Sequence, residues 1–361
     1  YVWRDKFPFF LNILLIMSNP KISLIIPHWN GIDVLSECLD SLAQTEYSNF
    51  EIIVVDNAST DGSSDWVSLN FPQIKLIENN HNYGYAGGCN RGAKVASGDY
   101  LVFLNNDTVQ EKNWLDSLVD FMNINPNVSA VQPKILNYYD RSKFDYAGGA
   151  GGWLDILGFP FARGRVFFEQ EKDEGQYDQM RPIFWASGTA IMVRTSDFET
   201  AGGFDETFFA HQEEIDLCWK FRLMGKESWA IPSSVVYHKN AVTLPMFSRQ
   251  KQYLNHRNSL LMVLSNYSLP LTLYITPIRL ALECIALVYS LVRLDMNHFF
   301  GIIQSLFWLV SHPHIIWKRR RLVKLIRVVK DKKVLPWLYW GSVVFDYYIR
   351  RKKRSAEIVK E

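Results

Sequence analysis

Three polar residues, Asn105, Asn106 and Asp107, come directly after an apolar run at residues 100–104 that is typical of a buried strand. In an open α/β sheet, ligands bind in the crevice beyond the carboxyl ends of the strands. A carboxylate flanked by amides at that place suits a metal-bound phosphate, because hard cations prefer oxygen ligands. An Asx-type turn would use the same three residues and explains them without any ligand.

A second group of acids, Glu213, Glu214 and Asp216, lies much further along the chain. Apolar residues at helical spacing follow, so the acids are predicted to lie in the first turn of a helix. There they would complement the helix dipole, which is reason enough for their presence. If one of them faces a cleft, it could instead act as a general base.

Further candidates follow this helix. His238 ends a predicted strand at residues 228–238, where a neutral imidazole could bind a metal, although a lone histidine more often has only a structural hydrogen bond. Arg249, His256 and Arg257 lie on a later helical segment and could contact a diphosphate. A solvated helix face would account for the same three residues.

Strand and helix signals alternate around the first group of residues. Apolar runs at residues 22–26, 51–55 and 75–77 predict strands, and apolar positions at helical spacing follow the first of them. The first strand ends at Pro27 and the second at Asp56, each followed by polar turn residues. Together with the strand described first, three strands therefore carry polar residues at the same edge of a sheet.

A glycine-rich segment at residues 79–92 lies between the third and fourth predicted strands. Its glycines allow a backbone to approach a ligand closely, and the helix that follows can direct its N-terminus at an anion. The segment is not a P-loop, since it lacks Gly-Lys-Ser/Thr, and its place after the third strand excludes the dinucleotide fingerprint. Taken alone, it does not identify the ligand.

The bulk composition limits the classes of function. A chain of 361 residues can bury a large core and is expected to contain two or three structural units. Basic runs at residues 318–321 and 350–354 adjoin aromatic and apolar segments, which favours an anionic membrane surface over nucleic acid, for which no motif is present. The four cysteines lack paired metal spacing and predict reduced thiols in the cytosol.

Two apolar stretches near the C-terminus, residues 269–294 and 299–316, are candidates for membrane contact. Arg279 and Glu283 interrupt the first stretch, and a charge at the bilayer centre costs about 2.5–3.5 kcal/mol. Helices lying in the membrane interface are therefore expected. A helical hairpin through the bilayer and a soluble helical subdomain are the alternatives.

Four segments in order resemble family 2 glycosyltransferases, in particular the bacterial rhamnosyltransferase-like branch that builds cell-surface polysaccharides. They are SLIIPHWN, EIIVVDNASTDGS, NYGYAGGCNRG and YLVFLNNDT. The resemblance covers roughly residues 21–240. It implies the GT-A fold, a Rossmann-like α/β architecture with a mostly parallel sheet flanked by helices, and it leaves the helical C-terminal region to associate with a membrane.

On this basis the chain divides into four parts. An N-terminal extension, residues 1–20, contains an apolar run too short to span a bilayer. It is expected to be an upstream extension or a weak membrane-surface anchor, and not a cleaved signal peptide. Residues 21–128 would bind the nucleotide sugar, and residues 129–245 the acceptor and the catalytic base, with aperiodic loops over the site at 137–181. Residues 246–361 would form the membrane-associated helical region.

The resemblance also implies roles for single residues at the donor end. Asp56 would contact the nucleotide base or ribose. Asp107 would hold the metal as the last position of an Asp-x-Asp motif, in which Asn105 replaces the first acid. The expected donor-binding residues are Pro27, Asn30, Asp56, Asn57, Gly84, Asn90, Asn105, Asn106 and Asp107.

The implied reaction is inverting glycosyl transfer. One carboxylate takes the proton from the acceptor hydroxyl while a cation stabilises the departing nucleoside diphosphate. Glu214 would be the base, with Glu213 and Asp216 next in line, and Mg²⁺ or Mn²⁺ would be held by Asp107 and His238.

The resemblance also suggests the partners. The sugar is expected to be rhamnose from dTDP-rhamnose, and the acceptor a lipid-linked molecule or an oligosaccharide. The enzyme would contact a membrane surface, at the cytoplasmic face of the bacterial inner membrane, as a peripheral or monotopic protein. No nucleic acid is expected as a partner.

Two other classes of protein share some of these features. A nucleotidyltransferase also has strand-end acids and a glycine-rich loop, but it needs that loop directly after the first strand, where this chain has residues 27–30, Pro-His-Trp-Asn. A non-catalytic sugar-binding protein of the same fold would bind the donor without hydrolysing it. Metal-dependent donor hydrolysis that is lost in Asp107→Ala would exclude that second alternative.

Overall fold

The computed structural model describes residues 19–240 and 247–359. The predicted N-terminal extension up to residue 18 lies outside the described residues. So does the segment 241–246, which contains the predicted boundary of the C-terminal region.

The described residues contain thirteen strands, nine of which form one mixed sheet. In chain order the strands are β1 (Ile22–His28), β2 (Phe50–Asp56), β3 (Lys75–Glu78), β4 (Tyr100–Leu104), β5 (Thr108–Gln110), β6 (Val128–Asn137), β7 (Gly152–Leu154), β8 (Pro160–Ala162), β9 (Arg165–Val166), β10 (Glu169–Gln170), β11 (Arg181–Ile183), β12 (Ala190–Arg194) and β13 (Glu227–His238). The order across the large sheet is β11-β13-β6-β12-β4-β1-β2-β3, and β5 pairs with β13.

Thirteen α-helices lie in the same described residues. In chain order they are α1 (Ile32–Leu42), α2 (Ser63–Asn70), α3 (Gly84–Ala93), α4 (Asp116–Ile124), α5 (Thr195–Thr200), α6 (Glu213–Leu223), α7 (Arg249–Asn266), α8 (Leu269–Val292), α9 (Met296–Ser311), α10 (Pro313–Ile326), α11 (Asp331–Val334), α12 (Val343–Tyr348) and α13 (Ser355–Ile358). Two 3₁₀ turns, Glu206–Phe208 and Leu335–Trp337, complete the set.

The N-terminal half of the sheet is parallel, as the alternation of strands and helices predicts. β1 pairs in parallel with both β2 and β4, and β2 pairs in parallel with β3. β1 is buried along its whole length, so its side chains alternate between two apolar layers: Leu24 and Ile26 join one core cluster and Ile25 the other. His28 lies opposite Asp56 in this register, so the strands end at one common edge.

The C-terminal half of the sheet reverses direction and completes that edge. β12 runs antiparallel to β4 and β6, while β13 runs parallel to β6. The last residue of β13, His238, pairs with Thr108 of the short strand β5. This pairing brings His238 beside Asp107, although the two residues are far apart in the chain.

The region at residues 137–181, expected to form loops, contains a second sheet. Four short antiparallel strands have the order β10-β9-β8-β7. Trp153 and Phe161 of this sheet pack with Val343 and Ile358 near the C-terminus. The strands are only two or three residues long, which is too short to produce a recognisable alternation in the sequence.

The C-terminal helices pack directly against the sheet-containing part of the molecule. Arg319 of α10 is buried, forms ion pairs with Asp205 and Asp216, and donates a hydrogen bond to Ser265 of α7. α7 contributes Leu260, Leu261, Met262 and Val263 to the main core cluster. The helical region is therefore continuous with the core.

The outward face of α8 is apolar. Arg279 and Glu283 do not lie on it, because both side chains are buried on the inner face and pair with each other. The sequence-based argument that these charges would have to enter lipid is therefore wrong. The large apolar side chains exposed on α8 are Leu269, Leu273, Tyr274, Ile278, Leu280, Ile285, Val288, Tyr289, Leu291 and Val292.

The helices of this region differ in whether they are long and apolar enough to cross a membrane. Within the described residues, Leu269–Val292 is the one helix long and apolar enough to cross a membrane. Met296–Ser311 and Pro313–Ile326 meet the same criterion only as a pair, and they are bent by 73° at the break between them. The break coincides with Pro313, which lacks the amide donor that would continue the first helix.

Candidate active site

A single cleft of about 1020 Å³ lies beyond the carboxyl ends of the parallel strands. Pro27 at the end of β1, Asn57 after β2 and Asn105 after β4 line it from below. Asp107 and Glu214 both line this same cleft. The two carboxylates that sequence reasoning assigned to metal binding and to base catalysis are therefore brought to one site.

Near the end of β2, Asn57 lines the cleft, whereas Asp56 does not. Asp56 is buried, and its Oδ2 accepts a hydrogen bond from the backbone amide of Ser59 at 3.0 Å. Within the described residues its Oδ1 is buried and has no hydrogen-bond partner. Asn57 donates to the carbonyl oxygen of Gly84 at 3.2 Å and lines the cleft itself.

Two glycines let α3 approach this part of the cleft. Gly84, the first residue of α3, has φ +72°, and a Cβ atom there would lie 2.3 Å from the carbonyl oxygen of Phe209. A Cβ atom at Gly88 would lie 2.8 Å from Nδ2 of Asn57. Any larger residue at these positions would push the N-terminus of α3 away from the strand ends.

A chain of hydrogen bonds fixes the amide of Asn106. Asn106 Nδ2 donates to Nδ1 of His28 at 2.8 Å, and Nε2 of His28 donates to Ser63 Oγ at 2.9 Å. Ser63 in turn donates to Asp61. Burial lowers the pKa of His28 despite the nearby carboxylates of Asp56 and Asp61, which agrees with the neutral ring that these bonds require.

Asp107 and His238 form the centre of the site. Asp107 Oδ1 lies 3.0 Å from Nε2 of His238, and Nδ1 of His238 lies 2.9 Å from Asp145 Oδ1. Asn240 donates to the other oxygen of Asp145 at 2.9 Å. Asp145 thereby fixes the orientation of the imidazole, as acidic partners of metal-binding histidines do.

The charges of Asp107, His238 and Asp145 affect one another. Burial alone would lower the pKa of His238, but the carboxylates of Asp107 and Asp145 outweigh burial and hold the pKa well above its usual range. Burial alone would raise the pKa of Asp107, yet the neighbouring His238 lowers it. The two carboxylates thus favour a positive charge at this place, either the proton on the imidazole or a metal ion that replaces it.

The residues present fit a divalent metal ion. Asp107 Oδ1 and His238 Nε2 lie 3.0 Å apart in a buried setting, close enough that one ion could bind both. The described residues contain no cluster of three or more histidine, cysteine or acidic side chains that could enclose a metal. Two protein ligands suffice for Mg²⁺ or Mn²⁺ where a substrate diphosphate completes the coordination.

Glu213 and Glu214 begin α6 and line the same cleft. The preceding loop is strained, because Phe209, His211 and Gln212 all have positive φ angles between 63° and 71°. Burial raises the pKa of Glu214 to about 7, and burial together with the neighbouring Glu214 raises that of Glu213. Oε2 of each residue is buried without a hydrogen-bond partner in the described part of the chain.

Asp216, the third acid predicted for this site, does not line the cleft. Its side chain is fully buried beneath α6, where it pairs with Lys220 and Arg319 and accepts a hydrogen bond from Asn266. The reason is helical geometry, since residues two positions apart point in different directions. Its contacts are those of a structural residue.

Besides Asp56, the predicted residues Asn30 and Asn90 also lie outside the lining of the cleft. Asn90 forms hydrogen bonds with the backbone of Phe204 and with Glu206. These bonds connect α3 to the 3₁₀ turn Glu206–Phe208. Asn30 accepts a hydrogen bond from the backbone amide of Thr60 and holds the loop after β1. Both are placed to support the donor end of the cleft without facing it.

The basic residues expected on the later helix separate into three environments. Arg257 donates to the carbonyl oxygens of Thr207 and Phe208, which is a structural role. Arg249 is exposed and does not line the cleft. His256 lines its far end, where it bonds to Glu283 and His298.

Sequence reasoning missed several residues that the fold brings to the cleft or its immediate support. Asp145 and Tyr146 lie in the aperiodic region, Arg165 lies on a two-residue strand, and Lys251 lies in the first turn of α7. None of them belongs to a motif, and only their tertiary positions identify them.

Comparison with known proteins gives the family context. Residues 23–201 match the family model described as glycosyl transferase family 2. The chain is 30% identical over 237 residues to the O-antigen biosynthesis protein RfbC of Myxococcus xanthus, a match that covers 63% of this chain and 18% of that protein. It is 28% identical over 225 residues to the N-acetylglucosaminyl-diphospho-decaprenol L-rhamnosyltransferase of Mycobacterium tuberculosis, covering 57% and 72% of the two chains.

A solved structure shares the fold. The crystal structure of GalNAc-T7 with UDP, GalNAc and Mn²⁺ superposes with a TM-score of 0.52 at 17% identity, covering 68% of this chain and 48% of that one. The predicted GT-A architecture, a mostly parallel sheet flanked by helices, is thereby confirmed.

Proposed function

This chain belongs to glycosyltransferase family 2 and to its rhamnosyltransferase-like branch, and we propose that it transfers a sugar from a nucleotide donor to a lipid-linked acceptor with inversion. The observation that carries the proposal is that Asp107 and Glu214 line one cleft of about 1020 Å³. A volume of that size accommodates a nucleotide sugar together with the end of an acceptor.

Glu214 is the proposed general base. Its buried carboxyl has a pKa raised to about 7, close to the working pH at which a base is most effective. It would take the proton from the acceptor hydroxyl as that oxygen attacks the anomeric carbon and the bond to the nucleoside diphosphate breaks. One carboxylate is enough, because a single displacement needs no covalent intermediate on the enzyme.

Asp107 and His238 are the proposed protein ligands of Mg²⁺ or Mn²⁺, with Asp145 orienting the imidazole. When bound, the ion would neutralise charge on the departing diphosphate. Asn106, held by His28, is positioned to donate a hydrogen bond at the same edge of the sheet. Asp56 and Asn57 would bind the nucleoside. Oδ1 of Asp56 has no hydrogen-bond partner in the described residues and could accept a hydrogen bond from it.

The relatives support a proposal for the donor and the acceptor. A relative named as an L-rhamnosyltransferase acting on a diphospho-decaprenol acceptor supports rhamnose as the sugar and a lipid-linked molecule as the acceptor, and dTDP-rhamnose is the donor we propose. The apolar outward face of α8 and the exposed basic residues Lys318, Arg321 and Lys324 on α10 support association with an anionic membrane surface. We place the enzyme at the cytoplasmic face of the bacterial inner membrane.

A transfer assay tests this function. Purified protein is incubated with Mn²⁺, a panel of nucleotide sugars that includes dTDP-rhamnose, and a short-chain lipid-diphosphate-linked sugar. Wild-type protein should form one elongated product with one donor, whereas Asp107→Ala should form none and should also lose donor hydrolysis. Donor binding without hydrolysis or transfer by the wild type would instead indicate a non-catalytic sugar-binding protein.

A further inference from the structure

The cleft extends well beyond the metal end, towards the C-terminal helices. Its far part is lined by polar side chains such as Glu283 and Arg293 and also by aromatic and apolar side chains, mostly near the small sheet and on α8. The aromatic and apolar residues are Phe159, Phe167, Phe168, Phe247, Leu282, Ala286, Tyr289 and Tyr348. Neither the base nor the metal ligands account for this extension.

Arg165 and Lys251 line the cleft and have no carboxylate partner among the described residues. The guanidinium of Arg165 lies 4.5 Å from the ring centre of Tyr146, and its Nε is buried with no hydrogen-bond partner in the described residues. The ammonium of Lys251 lies 5.9 Å from the same ring and has no hydrogen bond or ion pair among those residues. Both residues line the cleft.

Two other buried cations of this protein have anionic partners, whereas Arg222 and Arg257 donate to backbone carbonyl oxygens. Lys134 pairs with Asp173 and Asp178, and Arg319 pairs with Asp205 and Asp216. Arg165 and Lys251 instead lie close enough that the charge of Arg165 lowers the pKa of Lys251, in addition to the effect of burial. Two neighbouring cations that share a partly buried wall are stabilised when an anion binds between them.

The surroundings of this cationic pair indicate an amphiphilic anion. Arg165 donates to the backbone oxygen of Phe167, whose ring packs against Tyr348 at 5.6 Å. Tyr348 contacts Tyr289 of α8 at 6.1 Å. A row of aromatic rings therefore leads from the two cations to the helix whose outward face is apolar.

We propose that Arg165 and Lys251 bind the diphosphate of a lipid-linked acceptor, whose chain leaves the cleft along Phe167, Tyr348 and Tyr289 towards α8. This inference rests on the proposed function and specifies how that site recognises its acceptor. The donor diphosphate is assigned to the separate group formed by Asp107 and His238. The acceptor sugar would then extend from the cationic pair towards Glu214.

A binding experiment distinguishes the two diphosphates. Calorimetry measures the affinity of the full-length protein for farnesyl diphosphate, for farnesol, and for the nucleoside diphosphate of its donor with Mn²⁺. Arg165→Gln and Lys251→Gln should each weaken farnesyl diphosphate binding about tenfold, the loss of one charge-assisted hydrogen bond. Farnesol and the nucleotide should bind as tightly as to the wild type.

The matched control is Arg249→Gln, which removes a cation from the same turn of α7 as Lys251 but away from the cleft. This variant should bind all three ligands normally, and Lys251→Arg should restore farnesyl diphosphate affinity. The inference is overturned if nucleotide affinity falls by the same factor in the two glutamine variants, since the cations would then serve the donor. Unchanged farnesyl diphosphate affinity overturns it as well.

The transfer assay separates this inference from the proposed function. If the wild type transfers sugar to the lipid acceptor and the glutamine variants keep the same KM for it, only the diphosphate site is wrong. If the wild type transfers to no lipid-linked acceptor but farnesyl diphosphate still binds through Arg165 and Lys251, the anion site stands and the proposed acceptor is wrong.

Discussion

A carboxyl group with a buried, unpaired oxygen and no cationic partner costs stability, and Glu214 is such a group among the described residues. An ordinary glutamate has a pKa of about 4.3. Burial raises the pKa of Glu214 to about 7 in the folded state. Ionisation of this residue therefore opposes folding once the pH rises above the pKa that the residue has in the unfolded chain. A group that destabilises the fold at its working pH is more readily explained by catalysis than by structure.

Replacement of Glu214 by glutamine should therefore separate activity from stability. Glu214→Gln should reduce transfer by about 10²–10⁴-fold, because the general base is lost, while donor binding is retained. The same variant should have a higher Tm than the wild type at pH 8. Transfer rates and thermal melts check the two parts, and an undiminished rate would pass the role to Glu213.

The pH dependence of the reaction should report the same group. A base must be ionised, so kcat/KM should rise with pH and level off above about pH 7, the value to which the pKa of Glu214 is raised. Measurements at saturating Mn²⁺ between pH 5 and 9 check this. The residual activity of Glu214→Gln should not show this rise with pH. If the rise persisted in that variant, another residue would be responsible for it.

Asp145 is predicted to act as a positioning residue for His238. Asp145→Asn keeps the size of the side chain but removes the negative charge 2.9 Å from Nδ1 of His238. Mn²⁺ affinity should fall by about 10–100-fold, the usual effect of losing such a partner. Calorimetric titration with Mn²⁺ and nucleotide measures it. Asp140→Asn, which changes a partly exposed acid near the start of the same loop region, should leave Mn²⁺ affinity unchanged.

At the scale of elements, Arg319 joins α10 to α6 and α7 through buried polar contacts. Its guanidinium contacts Asp205, lies 2.7 Å from Asp216 and donates to Ser265 at 3.1 Å. α6 carries Glu214, so these contacts also fix the helix that presents the base. The strained loop before α6 needs such support, since three of its residues have left-handed backbone angles.

Loss of this contact should be costly. Arg319→Gln leaves Asp216 buried without its arginine, and breaking one side of a buried ion pair typically costs about 3–5 kcal/mol of unfolding free energy. Thermal or denaturant unfolding in mild detergent should show a large destabilisation. The neighbouring Arg321→Gln, whose exposed guanidinium lies over the ring of Trp317, should change stability little. Equal effects of the two variants would contradict a specific role for the buried contact.

At the scale of the whole molecule, the C-terminal helices are part of the core and also form the apolar surface. Truncation before α8 would remove Arg319 together with that surface, so it would unfold the protein without testing membrane contact. Substitutions on the outward face of α8 avoid this difficulty. Ile285 and Val288 suit the purpose, because each is 62% exposed.

Ile285→Glu combined with Val288→Glu should reduce co-sedimentation with anionic vesicles, because two charges would enter the apolar face. Activity on a water-soluble acceptor should be retained. Leu69→Glu changes an apolar residue that is 82% exposed on α2, outside that face, and should bind vesicles normally. Normal vesicle binding by the double variant would exclude the α8 face as the contact surface.

The sequence alone determined the parallel half of the sheet and the identity of its polar strand ends. Strand periodicity and the abrupt change to polar residues are local signals, so Asp56 and Asp107 could be placed at one edge without coordinates. The family resemblance added the assignment of Glu214. The short strands at residues 152–170 gave no such signal, because two or three residues do not form a period.

Tertiary structure decided which side chains share the cleft. It turned Asp216 into the core, brought Asp145 behind His238, and directed Arg279 and Glu283 inward from α8. It also placed Arg165 and Lys251 on one wall, although they come from a strand and a helix far apart in the chain. Periodicity states which way a residue points from its own element, whereas the neighbour that it meets depends on long-range packing between elements.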